Sequence, residues 1–177
     1  NEGDRLILQT NDGAPNQKLV EVNVAKPEKA NWKPLIPERP EPLQFASTVG
    51  NRLYLTYSKD VTSRTLIYNY NCVALGSVRL PGLGNVSGFQ GEKEDTFAFF
   101  TYSSFNFPPT VYKYEIAQNT SKVFQKPKLA FKPEDFQVLQ KFYTSKDGTR
   151  VPMFIVSKKG MVLNGKNPTI LHGYGGF

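Results

Sequence analysis

The sequence predicts a mainly β protein in which one sheet-forming unit repeats along most of the chain. Aromatic and β-branched residues fall in short runs instead of long helical stripes, and the 177 residues include 13 Phe and 9 Tyr. Similar strand-like runs begin at Leu6, Leu53 and Phe97, so the unit returns after about 45 residues. A loop rich in Gly, Pro, Asn, Asp or Ser follows each run, and these residues favour turns.

Each unit continues with a second and a third strand-like run in the same order. The second runs are residues 19–24, 66–70 and 111–116, and the third runs are residues 32–36, 77–80 and 121–124. A fourth, less regular strand is expected to complete the first two units at 44–49 and 85–90. One propeller blade of four short antiparallel strands takes roughly 40 to 50 residues, so this spacing favours a β-propeller. Three unrelated hairpins are the alternative.

The pattern changes after Lys126. Two strand-like runs, residues 136–143 and 151–156, are joined by a segment containing Asp147-Gly148, a strong signal for a β-hairpin turn. The short apolar run 169–171 then predicts a buried strand that leads into a glycine-rich loop at 173–177. We therefore expect a partial propeller of about three blades over residues 1–130 and the start of a second domain over residues 131–177.

Composition excludes several classes of function. The formal net charge is +7, but the Lys and Arg residues are scattered, which argues against nucleic-acid binding. The single cysteine, Cys72, cannot form an intrachain disulfide and is typical of a reducing compartment, so we expect a cytoplasmic protein. No run reaches the roughly 18 to 20 apolar residues of a membrane span. Cys72 and His172 do not form a metal-ligand cluster, and no cofactor motif is present.

Two segments carry a resemblance to a known family. Residues 143–156, followed by Gly173-Tyr174-Gly175-Gly176-Phe177, resemble the start of the peptidase domain of the prolyl oligopeptidase family of serine peptidases. The repeats before them resemble the last blades of that family's seven-bladed propeller. The resemblance implies a mainly β chain, with the C-terminal blades of a seven-bladed β-propeller followed by the first strands of an α/β-hydrolase domain.

The resemblance also implies a function. It describes an internal piece of a cytoplasmic serine endopeptidase that cleaves short peptides on the C-terminal side of proline, with the propeller acting as a size filter. No cofactor, metal, nucleic acid or membrane is implied, and the full-length enzyme is expected to be a monomer. The family's Ser, Asp and His triad lies C-terminal to the matching residues and has no counterpart here, so this chain alone is expected to be inactive.

Only two residues take named roles from the resemblance. Tyr174 matches the family tyrosine whose hydroxyl donates to the oxyanion of the tetrahedral intermediate, where negative charge develops. Phe177 matches the phenylalanine that lines the S1 pocket against the substrate proline ring. His172 is expected to be a partly buried side chain at a strand end and not a catalytic base, because no Ser or Cys in the chain has a setting typical of a nucleophile.

Two alternatives to this enzyme remain open. The chain could be a β-propeller binding module without catalysis, or a family member that changed its specificity or lost its activity. The C-terminal segment favours the peptidase over the binding module. A propeller alone has no use for a hairpin followed by a Gly-Tyr-Gly-Gly-Phe loop, whereas the hydrolase needs that loop near its nucleophile.

Overall fold

The computed structural model describes residues 3–173, and its regular structure is almost entirely β. These residues form thirteen strands in four antiparallel sheets. Within this range there is no α-helix, only two short 3-10 turns at Lys29–Asn31 and Pro133–Asp135. The prediction of a mainly β chain with very little helix before Lys126 is therefore confirmed. No helix found between residues 3 and 173 is long and apolar enough to cross a membrane.

The strands follow one another in chain order within each sheet. The first sheet contains β1 (Arg5–Thr10), β2 (Lys18–Asn23) and β3 (Lys33–Ile36). The second contains β4 (Leu43–Val49), β5 (Arg52–Lys59), β6 (Thr62–Asn69) and β7 (Ala74–Ser77). The third contains β8 (Asn85–Gln90), β9 (Phe97–Ser103), β10 (Thr110–Glu115) and β11 (Thr120–Gln125). The fourth is the hairpin of β12 (Phe136–Thr144) and β13 (Arg150–Lys158).

The predicted grouping of strands into units is wrong by one strand. The runs at 44–49 and 85–90 do not complete the sheets that precede them. Instead, β4 pairs with β5 and β8 pairs with β9, so each run begins the following sheet. As a result the first sheet has three strands, where four were expected, and the second and third sheets have four each.

The connections between strands explain this pairing. The two-residue turn Gly50-Asn51 joins β4 to β5, and its φ angles of 57° and 59° suit a tight, twisted hairpin. A Cβ on residue 50 would lie 2.4 Å from Ile116 Cδ1 and 2.7 Å from the Asp95 carbonyl oxygen, so only glycine fits. By contrast, the link at 37–42 between β3 and β4 contains three prolines, which have no N–H to donate to a ladder.

The second sheet is buried on both faces because it lies between the first and third sheets. Side chains of β5 alternate between the two faces, as the pleat of a strand requires. Leu53 and Leu55 share a core cluster with Leu19 of the first sheet, whereas Tyr54 belongs to a second cluster with Phe89 of the third sheet. Burial on both faces explains why β5 is an almost unbroken apolar run instead of an apolar and polar alternation.

Aromatic rings form the core between the second and third sheets. The ring of Phe89 stacks on Tyr54 with a centroid distance of 5.2 Å and on Phe100 at 4.8 Å. Tyr114 meets the edge of both Tyr54 and Phe89, at 5.9 and 5.7 Å. Burial raises the pKa of the Tyr54 hydroxyl, so this core remains uncharged. Buried aromatic pairs stabilise a fold by more than the burial of their apolar area alone would give. These rings are therefore expected to stabilise the packing of the second sheet on the third.

The predicted hairpin near residue 147 is confirmed. β12 and β13 pair along their full length, from Phe136 opposite Lys158 to Thr144 opposite Arg150. Asp147-Gly148 lies at the turn, where Gly148 adopts a φ of 87° that favours glycine.

The turn is held by the side chain of Asp147. Its carboxylate accepts hydrogen bonds from the hydroxyl of Ser145 and from the N–H of Thr149, the latter at 3.0 Å. The Ser145 hydroxyl, followed by the Thr149 N–H, lowers the pKa of Asp147 to about 2. The carboxylate is therefore ionised at neutral pH and is available as a permanent acceptor in the turn.

Candidate functional site

The two site residues predicted from the sequence, Tyr174 and Phe177, lie outside the described residues. Their assignment as oxyanion donor and S1 wall therefore stays a prediction. The structure does describe the segment that leads to them, up to Gly173, and the hairpin that precedes this segment.

The segment between the hairpin and Gly173 contains no strand. Asn164 and Asn167 fold it locally: Asn164 Oδ1 accepts from the N–H of Lys166 at 3.0 Å, and Asn167 Nδ2 donates to the carbonyl of Val162 at 2.8 Å. Beyond this turn the chain makes few contacts with the sheets.

The buried strand expected at 169–171 does not form among the described residues. Ile170 is 94% exposed and Leu171 is 89% exposed. A strand needs a neighbour to pair its N–H and C=O groups, and no strand within residues 3–173 lies beside this run. The apolar character of the run was read correctly, but burial depends on a covering element that the described residues do not supply.

His172 also differs from expectation. The sequence predicted a partly buried side chain at a strand end, whereas His172 is exposed and outside any strand. The cause is the same as for Ile170 and Leu171, since no sheet forms around the segment. No role in catalysis was predicted for His172.

The hairpin rests on the turn between β5 and β6 of the second sheet. The side-chain nitrogen Nε2 of Gln140 donates to the carbonyl oxygen of Asp60 at 2.5 Å. Arg150 Nη1 lies 4.0 Å from Asp60 Oδ1, and its guanidinium lies 3.3 Å from the centre of the Phe142 ring. Asp60 therefore contacts both strands of the hairpin, one through its backbone and one through its carboxylate.

The hairpin also contacts the loop between β9 and β10 of the third sheet. The rings of Phe105 and Phe154 lie 5.0 Å apart. Asn106 Nδ2 donates to the carbonyl oxygens of Pro133 at 3.2 Å and of Phe136 at 3.4 Å. These contacts attach the start of the hairpin to the third sheet, as the Asp60 turn attaches it to the second.

Sequence reasoning did not identify this contact surface. It placed Asp60 and Phe105 in loops rich in turn-forming residues, and that part is confirmed. What a loop contacts across the molecule depends on how the sheets pack, and no local pattern encodes that. The backbone marks the Asp60 turn as unusual, because Asp60 and Val61 have positive φ angles of 49° and 65°. A β-branched residue such as Val61 is strained in that conformation, which often accompanies a functional contact.

We expect the charge pair between Asp60 and Arg150 to be weak. A double-mutant cycle of Asp60→Asn and Arg150→Gln should give a coupling of about 0.2 to 1 kcal/mol, because exposed ion pairs are solvated and flexible. Asn tolerates the positive φ at residue 60, so the turn itself should be preserved. Urea unfolding at low and high ionic strength measures the coupling, which should shrink with salt. A larger coupling that salt does not change would contradict this view of the pair.

The described residues do not offer a metal or nucleophile centre. Between residues 3 and 173 no group of three or more His, Cys, Asp or Glu side chains is placed to hold a metal ion. Cys72 is half-buried, and burial raises the pKa of its thiol, which disfavours the reactive thiolate at neutral pH.

The first three sheets, each an antiparallel meander of three or four strands in chain order, have the arrangement of blades in the β-propeller class. The model of the prolyl oligopeptidase N-terminal β-propeller domain matches residues 1–127. The chain belongs to the prolyl oligopeptidase family.

Relatives match well beyond the propeller. The chain is similar to a prolyl endopeptidase of Elizabethkingia meningoseptica, with 43% identity over 99% of the chain. It is also similar to prolyl oligopeptidase A of Amanita bisporigera, with 35% identity over 100% of the chain. Among solved structures, prolyl oligopeptidase B from Galerina marginata matches 93% of the chain with a TM-score of 0.82 at 28% identity. A structure from a study of two prolyl endopeptidases matches 90% with a TM-score of 0.79 at 38% identity. The chain spans about a quarter of the length of these relatives.

Proposed function

We propose that this chain is part of a serine endopeptidase that hydrolyses short peptides on the C-terminal side of proline. The observation that carries the proposal is the extent of the match: relatives named prolyl endopeptidase align over 99% of the chain, including the segment after the propeller. A propeller binding module without catalysis would not require this second segment to match. In this proposal residues 1–130 supply about three blades of a seven-bladed propeller that limits substrate size.

Residues 131–177 begin the α/β-hydrolase domain in this proposal. The hairpin of β12 and β13 is its first element, and the exposed run at 169–171 becomes a strand of the hydrolase sheet once neighbouring strands are present. The near-complete exposure of Ile170 and Leu171 supports this assignment, because two large aliphatic side chains are costly to leave in water. The glycine-rich loop would then follow directly after a strand, which is where the oxyanion donors of α/β-hydrolases lie.

In this proposal Tyr174 and Phe177 have different roles in the glycine-rich loop. The hydroxyl of Tyr174 donates a hydrogen bond to the oxyanion that forms when the substrate carbonyl is attacked. Phe177 provides a flat apolar wall for the proline ring, which has no N–H that would need a partner when buried. The attacking serine and its histidine and aspartate partners are supplied by residues outside this chain, so the 177-residue chain alone should be inactive.

Cleavage of a peptide with one internal proline tests the function directly. We expect the protein that contains this chain to cut after that proline, and the 177-residue chain alone to leave the peptide intact. Phe177→Ala should lower kcat/KM for this peptide by roughly tenfold or more, because the pocket loses its wall. Mass spectrometry identifies the cut bond, and initial rates give kcat/KM.

Phe124→Ala is the control, because Phe124 is 62% exposed on β11 of the propeller. This variant should cleave the proline peptide with an unchanged kcat/KM.

Binding of the proline peptide without any cleavage would instead favour the propeller binding module, and cleavage at another bond would favour a changed specificity. Activity of the 177-residue chain alone would overturn the placement of the nucleophile.

A further inference from the structure

A cavity of about 480 Å³ lies between the β9–β10 loop and the segment that links β11 to β12. It is lined by three of residues 107–110 and eight of residues 126–134, and we call it the linker cavity. Ligand pockets in proteins measure roughly 300 to 1,000 Å³, so the space suits a small ligand or a short peptide. None of its lining residues has a role in the proposed peptidase reaction.

The walls of the linker cavity are apolar and fixed by neighbouring contacts. Phe107 is held by two hydrogen bonds with Ser104: the N–H of Ser104 donates to the Phe107 carbonyl at 2.8 Å, and the N–H of Phe107 donates to Ser104 Oγ at 3.3 Å. Phe131, which also lines the cavity, packs edge-on against Phe136 with ring centres 5.8 Å apart. Phe131 is still 50% exposed, so much of its ring is open to a ligand. Preformed walls lower the entropic cost of binding.

The rim of the cavity carries an excess of positive charge. Lys126, Lys128 and Lys132 line it and are exposed, and Glu134 is the one carboxylate in the described lining. In the part of the chain that the structure describes, none of these three lysines forms an ion pair within 4.0 Å. Three available ammonium groups around an apolar floor favour a ligand that is both anionic and apolar.

We propose that the linker cavity binds a short acidic peptide with an aromatic side chain. The aromatic ring packs between Phe107 and Phe131, and the peptide carboxylates pair with the lysines of the rim. A phosphate ligand is disfavoured, because the described lining contains no arginine fork and no N-terminus of an α-helix, the two features that most often select phosphate. The partner is therefore recognised through its carboxylates and one aromatic ring.

The experiment uses a fluorescein-labelled Asp-Phe-Asp-Glu amide and the protein that contains this chain. We expect saturable binding by fluorescence anisotropy that weakens with ionic strength. The triple variant Lys126→Gln, Lys128→Gln and Lys132→Gln should bind roughly tenfold more weakly, as expected for losing three solvated charge pairs. A peptide with alanine in place of phenylalanine should also bind more weakly to the unaltered protein, which tests the apolar wall without any change to the fold.

The matched control replaces three exposed lysines elsewhere, Lys122, Lys158 and Lys159, with glutamine. It changes the net charge by the same amount and should leave affinity within about twofold. The proposal would be overturned if the control triple variant lost as much affinity for the probe, or if the alanine peptide bound as tightly as the phenylalanine peptide. Either result would mean that the probe binds through non-specific charge attraction. Absence of saturable binding, or displacement of the probe by a proline-containing substrate, would overturn it as well.

Discussion

Tyr174→Phe is expected to lower kcat/KM for a proline-containing peptide by roughly 10- to 1000-fold in the protein that contains this chain. The substitution removes one hydroxyl and keeps the ring. If that hydroxyl donates to the oxyanion, its loss raises the energy of the transition state more than that of the bound substrate, whose carbonyl has not yet gained the charge. The decrease should therefore appear mainly in kcat, provided that acylation limits turnover. Steady-state rates over a range of substrate concentrations separate kcat from KM.

Tyr143→Phe provides a matched control for this experiment. Tyr143 lies on β12, is 51% exposed, and undergoes the same chemical change when its hydroxyl is removed. Its rate constants should match those of the unaltered protein. If Tyr174→Phe were equally harmless while remaining folded, the hydroxyl would have no part in the reaction and the proposed role of Tyr174 would be withdrawn.

Phe100→Ala is expected to lower the free energy of unfolding by about 3 to 5 kcal/mol, the usual cost of removing a fully buried aromatic side chain. Phe100 is 1% exposed and stacks on both Phe89 at 4.8 Å and Tyr112 at 5.2 Å. The substitution leaves a cavity where the second and third sheets meet. Urea unfolding of the 177-residue chain, followed by circular dichroism, measures the loss, and a variant unfolded without urea sets its lower limit.

Phe124→Ala is the comparison for stability, because Phe124 is largely exposed and contacts only the edge of Phe99 among aromatic rings in the described range, at 4.8 Å. We expect it to cost less than about 1 kcal/mol. Similar losses for the two phenylalanines would mean that the aromatic core between the sheets does not carry the stability assigned to it.

Much of the strand content could be predicted from the sequence, but the pairing of strands could not be predicted with the same accuracy. The run from Leu53 to Tyr57 indicates a strand because β-branched and aromatic residues favour an extended backbone, whichever neighbour it has. Pairing depends on the connections. The Gly50-Asn51 turn was the available signal for the pairing of β4 with β5, in the same way that Asp147-Gly148 correctly indicated the hairpin.

Burial at the C-terminal end was predictable only in part. Ile170 and Leu171 are strongly apolar, and sequence alone favours a buried strand at that position. Whether such a strand forms depends on partner strands from elsewhere in the sequence, and no strand among the described residues takes that place. The contact of Asp60 with Gln140 was beyond prediction for a related reason, since it joins residues 80 positions apart across two sheets.

The position of the hairpin makes it sensitive to the angle between two sheets. It is attached to the second sheet through Asp60 and to the third through Phe105 and Asn106, so it spans the seam between them. A rotation of one sheet against the other would pull these two attachments in different directions, and the hairpin could not satisfy both without moving. A change in the angle between the second and third sheets would therefore displace the hairpin relative to at least one of them.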